Sequence, residues 1–192
     1  MKFLKLLFAA TLLLFVSCDL DDGNDNPINN NSIAGTWNLV SVEFDGNATT
    51  TVQNIPIVTS FDSVSKDENF DCVFEEGPET VSCSGSYTSV LTIRVPSLDD
   101  IVEETQVQAP SGSTTYQISG NELVLGNNIF QPDIVDLIEG AQNISFRENK
   151  ITILNITSQT LVLEITTEGS FDVEGTPSIF NFNSTISFEK AN

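Results

Sequence analysis

Phe180-Asn181-Phe182-Asn183-Ser184-Thr185-Ile186-Ser187-Phe188 alternates with period two. Phe180, Phe182, Ile186 and Phe188 share one face, and Asn181, Asn183, Thr185, Ser187 and Glu189 share the other. An extended strand points successive side chains to opposite sides, so this spacing predicts a β-strand with one buried and one solvated face. Leu161-Val162-Leu163-Glu164-Ile165-Thr166 repeats the pattern just upstream, with its odd positions apolar, and Tyr87, Leu91, Ile93 and Val95 make a third such face.

From Ile33 onward Thr, Ser, Val, Ile and Phe dominate, punctuated by Gly, Asn and Pro, which is strand vocabulary. Further strands are predicted near 36–44, 51–61, 69–75, 81–95, 114–119, 122–126, 143–147 and 150–156, with 81–95 either one bulged strand or two. Turns are expected at Asp45-Gly46-Asn47, Ser119-Gly120-Asn121 and Glu148-Asn149-Lys150. One short helix is expected after Pro132, where Ile134, Leu137 and Ile138 are helically spaced and Gly140 follows as a stop. Short links favour antiparallel neighbours. Eight or more strands in an open sheet would expose unpaired edges, and closure removes them. The expected fold is therefore all-β, an antiparallel up-and-down β-barrel, with a two-sheet sandwich of the same length as the alternative.

The chain has 192 residues, which suits one folded domain, and 40% of them are hydrophobic, enough for a core. It carries 27 acids and 7 bases, a net charge of −20. Such a charge repels nucleic acid and anionic headgroups, so no nucleic-acid partner is expected. There is no histidine, which removes the commonest general base and metal ligand. No catalytic residue, metal site or cofactor is assigned.

Lys2 and Lys5 precede an apolar run, Leu6 to Val16, too short to span a bilayer and suited to a signal peptide. The run ends in Phe15-Val16-Ser17-Cys18. A small residue before a cysteine at that place resembles the lipobox of bacterial lipoproteins, although Phe15 stands where Leu is usual. The resemblance implies cleavage before Cys18, lipidation of Cys18, and anchoring by acyl chains at about 0.8 kcal/mol per buried CH₂. Loss of Lys2 and Lys5 then leaves 5 bases against 27 acids. Residues 18–32, rich in Asn and Asp, read as a solvated tether. The expected organisation is signal peptide 1–17, lipidated tether 18–32 and barrel domain 33–192. The expected location is the bacterial cell envelope, lipid-anchored in the outer membrane, with an acidic run after Cys18 like the surface-export signal of some lipoproteins.

Gly35-Thr36-Trp37 opens the first strand. This G-x-W, with Ile33 to Ser41, Tyr116 to Leu123 and Ile153 to Leu163, resembles the lipocalin-like domains of bacterial envelope lipoproteins, over essentially residues 33–190. The resemblance implies that Trp37 closes the barrel floor and that a base from the last strand packs over it, here Lys190 where the family often has Arg. A cation over a Trp face contributes about 0.5–2 kcal/mol.

Cys72 and Cys83 remain after lipidation of Cys18. Phe70, Cys72 and Phe74 share a face, as do Val81, Cys83 and Tyr87, so a hairpin that pairs Cys72 with Cys83 also pairs Phe74 with Val81 around the turn Glu75 to Thr80. A disulfide is expected in an oxidising envelope, against two buried thiols.

Asp99-Asp100 and Glu103-Glu104 read as one solvated loop rather than a catalytic carboxylate pair. Asp62-Ser63-Val64 resembles a bacterial O-glycosylation tripeptide. The expected function is non-enzymatic binding of a small apolar ligand in the barrel mouth, lined by Phe70, Phe74, Tyr87, Leu91, Leu163, Phe180, Phe182, Ser184 and Phe188, each on the apolar face of an alternating strand. The alternative is an accessory surface lipoprotein whose barrel is filled by its own side chains. The only partners expected from the sequence are the membrane, through Cys18, and that ligand.

Overall fold

The computed structural model describes residues 33–127, 129–130, 141–173 and 175–191. The expected signal peptide, Cys18, the expected tether and the helix expected after Pro132 lie outside the described residues.

Nine strands follow in order: β1 (Gly35–Val52), β2 (Ile55–Glu76), β3 (Glu79–Arg94), β4 (Ile101–Gln108), β5 (Ser113–Ser119), β6 (Glu122–Leu125), β7 (Ala141–Ile156), β8 (Thr160–Val173) and β9 (Thr176–Lys190). All pairings are antiparallel, in the sheet order β2-β1-β9-β8-β7-β6-β5-β3-β4, and β2 also pairs with β3. That last pairing closes a ring of eight strands, the expected antiparallel barrel, and leaves β4 outside it. β3 serves two neighbours in turn. Its start, Thr80 to Ser82, pairs with β5, and its later part, Ser86 to Ile93, pairs with β4.

The two ends of the barrel differ for this reason. At the end where β1 begins, the short strands β5 and β6 complete the wall. Beyond them the wall is made by the long strands and by β4, with β4 and the first half of β7 as its two margins. The barrel is thus closed at the Trp37 end and opens toward the β1–β2 turn, Gln53-Asn54, where both residues have positive φ, as a two-residue hairpin of the primed type needs.

Period-two alternation fills the interior with two apolar clusters. Trp37, Leu39, Phe70, Phe74, Tyr116, Leu163, Ile186 and Phe188 belong to the cluster at the closed end. Phe44, Ala48, Phe61, Leu91, Phe171, Phe180 and Phe182 form the second, toward the mouth.

Three sequence readings are corrected. Asp45-Gly46-Asn47 does not end the first strand: β1 runs through it, with Gly46 paired to Phe61 and Phe182. A Cβ on Gly46 would strike the Phe182 ring, so this glycine makes room for an aromatic rather than a turn. Glu148-Asn149-Lys150 is likewise inside β7, because that stretch is solvent-exposed at a margin of the wall and needs no apolar residues to stay extended. The acidic segment is not one loop: Glu103 and Glu104 lie in β4, opposite Leu91 and Val90 and hence on opposite faces. β4 is exposed almost throughout, so it carries no apolar alternation by which to be recognised.

Candidate functional site

The closed end is built from the first and last strands. Trp37 pairs in register with Lys190 on β9 and with Cys72 on β2. Its indole is fully buried, and its N–H donates to the Ile33 carbonyl at 2.6 Å. The Lys190 ammonium lies 4.3 Å from the centre of the Trp37 ring and donates to the Ala34 carbonyl. Gly35 has φ +124°, and a Cβ there would meet the Lys190 side chain. The G-x-W spacing therefore has a local physical reason. The glycine clears the path of the lysine, and the tryptophan two residues on receives it.

Cys72 and Cys83 form a disulfide, directly opposite each other, with Phe74 opposite Val81 as the hairpin requires. The Cys72–Cys83 row continues the Trp37 row, so the crosslink belongs to the floor of the barrel.

The nine residues expected to line a ligand site all belong to inward-facing positions, but they divide between the two clusters. Phe70, Phe74, Tyr87, Leu163 and Phe188 pack at the closed end, while Leu91, Phe180 and Phe182 sit in the upper cluster. Eight of the nine are buried and Tyr87 is half-buried. They fill space against one another: Phe70 meets Tyr87 edge-on at 5.9 Å, and Phe180 stacks on Phe182 at 5.1 Å. Burial raises the Tyr87 phenol above its ordinary pKa. Ser184 is buried beside Phe44 and Ile165, its ladder partners. Among the described residues no buried side-chain nitrogen or oxygen lacks a hydrogen-bond partner.

Two cavities lie elsewhere. One of about 420 Å³ is an outer groove over Asn47, Ser145, Arg147, Ser170, Ile179 and Asn181, with Phe180 its one member of the expected lining. A second, of about 130 Å³, lies along the seam where β6 meets β7. Ser63 faces inward and shares a 2.6 Å hydrogen bond with Ser89, so the Asp62-Ser63-Val64 hydroxyl is engaged inside the wall. Among the described residues no three His, Cys, Asp or Glu side chains converge as metal ligands do.

A ligand site in the barrel mouth is expected from the sequence, but the residues of its rim are not among those named there. Its inward-facing apolar residues remain in solvent: Ile55 is 64% exposed, Phe146 47%, Ile101 45%, Val52 44% and Ile57 37%. Their direction follows from the ladder. Val52 pairs with Ile55, Thr50 with Ile57, Ile93 with Ile101, and Phe146 with Gly169, each on the face that carries Phe61 or Phe180. The signal available was Val52-Gln53-Asn54-Ile55-Pro56-Ile57, an apolar alternation that straddles a turn. Below this rim lie Phe61, Phe171, Phe180 and Phe182. Phe180 stacks on Phe171 at 5.9 Å, and Phe61 meets Phe182 edge-on at 5.6 Å. Thr50 and Ser178 share a 2.7 Å hydrogen bond beside them.

No protein-family model and no curated protein matches the chain.

Proposed function

We propose that this chain is a lipid-anchored envelope lipoprotein with a lipocalin-like barrel that binds a small apolar ligand, without catalysis, at the open mouth. The observation that carries this reading is the rim: five apolar side chains that face the inside of the barrel and yet stay 37–64% exposed. Apolar surface gathered around a concavity costs free energy in a monomer and marks a binding site. Of the expected lining, Leu91, Phe180 and Phe182 become the floor of that site. Phe70, Phe74, Tyr87, Leu163 and Phe188 become structural core.

The direction of the barrel supports the anchored arrangement. β1 starts at the closed end beside Trp37, so the mouth points away from the end of the domain where the chain enters it. Replacing Cys18 with Ala is expected to release the protein from the membrane fraction and abolish fatty-acid labelling, and persistent labelling overturns the anchor.

The ligand test is a titration of the barrel domain with N-phenyl-1-naphthylamine, an uncharged apolar probe. Saturation at one probe per chain, weakened in Phe146→Ala and Ile57→Ala, is the expected result. A second reading, an accessory lipoprotein with a filled barrel, is favoured by the pairing of buried polar groups among the described residues and by the packing of Phe70, Phe180 and Phe182 against neighbouring rings. A folded protein with no saturable binding establishes that second reading.

A further inference from the structure

We infer that the mouth selects against anions, so that its ligand is an uncharged or cationic amphiphile and not a fatty acid or other carboxylate- or phosphate-headed lipid. This rests on the mouth-binding reading and adds the chemistry of the head group.

The sequence holds only seven bases, and five of them lie among the described residues, where each can be placed. Lys2 and Lys5 belong to the expected signal peptide. Lys190 lies at the closed end, against Trp37 and the Ala34 carbonyl, with the lower cluster between it and the mouth. Arg94 pairs with Asp62 and Asp100. Lys66 pairs with Glu104, Arg147 with Glu168, and Lys150 stands opposite Thr166. Asp62, Thr166 and Glu104 alternate with the inward Phe61, Ile165 and Glu103, so these partners belong to the outer face of the wall. Glu168 likewise alternates with the inward-facing Thr167 and Gly169. Among the described residues no base is therefore left to meet an anion inside the mouth. One acid is placed there. Glu103 is the ladder partner of Leu91, a buried member of the upper cluster, and it stands two residues from the rim residue Ile101 on the same face. A carboxylate brought onto the apolar floor would lose hydration with no cation to replace it and would meet Glu103 as a like charge. An ammonium head would meet an opposite charge, and a hydroxyl could share the Thr50–Ser178 hydrogen bond.

The test uses three probes of equal chain length, each below its micelle concentration: dodecanol, dodecyltrimethylammonium and dodecanoate, displacing N-phenyl-1-naphthylamine at neutral pH and low salt. Dodecanoate is expected to bind about tenfold or more weaker than dodecyltrimethylammonium, the difference shrinking as salt is added. Glu103→Gln is expected to narrow that gap, and Glu104→Gln, on the outer face, to leave it. Dodecanoate binding as tightly as the other two overturns the selectivity while the mouth site stands. Saturable probe binding that none of the three displaces overturns the amphiphile. A folded protein that binds no probe at all overturns the mouth reading itself, and the inference with it.

Discussion

The Lys190 ammonium occupies the space where a side chain on residue 35 would begin: a Cβ built on Gly35 lies 2.5 Å from Nζ. The first and last strands are thereby locked to each other by a glycine, a lysine and the Trp37 ring between them. Gly35→Ala meets both a clash and a φ of +124°, which side chains rarely adopt. It should destabilise the domain by about 1–3 kcal/mol. Urea denaturation checks this, and an unchanged midpoint would show that Lys190 swings aside without cost.

Trp37→Ala should cost more, about 3–5 kcal/mol, since it removes the largest fully buried side chain of the closed end. It also orphans the Ile33 carbonyl that the indole N–H satisfies. The indole fluorescence of the native protein, which has one tryptophan, should be that of a buried ring and shift red only on unfolding. Native fluorescence quenched readily by acrylamide contradicts the burial.

The Cys72–Cys83 link closes a loop between residues 11 apart, and its loss should cost about 3 kcal/mol. Replacing both with Ala keeps the row under Trp37 apolar and isolates the crosslink. Non-reducing mass mapping should find the two peptides joined in the native protein. Two alkylatable thiols would refute the bond.

Both tyrosines of the chain should titrate late. Burial raises Tyr87 above its ordinary 10.0, and burial together with the charges of Glu79 and Glu76 raises Tyr116. The fold holds the neutral phenol, so the folded state binds more protons than the unfolded one above that ordinary value. The contribution to stability is full below pH 10 and falls as pH rises through the folded pKa values. The urea midpoint should therefore drop on the alkaline side, and Tyr87→Phe should remove part of the drop. A midpoint flat through the phenolate transition is the contrary result.

The closed end was legible residue by residue in the sequence and the rim of the mouth was not, and the reason lies in burial. Cys72, Cys83, Phe74 and Val81 alternate because one face of their hairpin is sealed, so the pairing register could be read residue by residue. The same holds for Phe180 to Phe188. β4 and the first half of β7 stand in solvent and carry Glu, Gln, Asn and Arg wherever the fold allows. Their composition is that of loops, and only pairing with β3 and β8 makes them strands. Gly46 misled for a different reason: glycine marks turns through its backbone freedom, but here it serves by its missing side chain. The residues expected to line a ligand site do face the interior, yet period two gives the face and not the height along the barrel. Height decides which phenylalanines are core and which border the mouth.

Gly169 offers the sharpest test of how the mouth floor is made. It pairs with Phe180 on β9 and with Phe146 on β7, and a Cβ there would run into the Phe180 ring and the Ser145 carbonyl. The ring of Phe180 thus occupies the space beside the bare Gly169 backbone, and it is parallel to Phe182 within 19°. Gly169→Ala should lift that ring and cost about 1–3 kcal/mol by overpacking. Phe180→Ala alone should cost about 3–5 kcal/mol through the cavity it leaves. If the two residues are coupled through the ring, the alanine at 169 should be tolerated better once the ring is gone, and the double variant should be less destabilised than the sum of the singles. Thermal melts of the four proteins in the cycle measure this. Strict additivity would mean that the Ser145 carbonyl, and not the ring, is what the glycine accommodates.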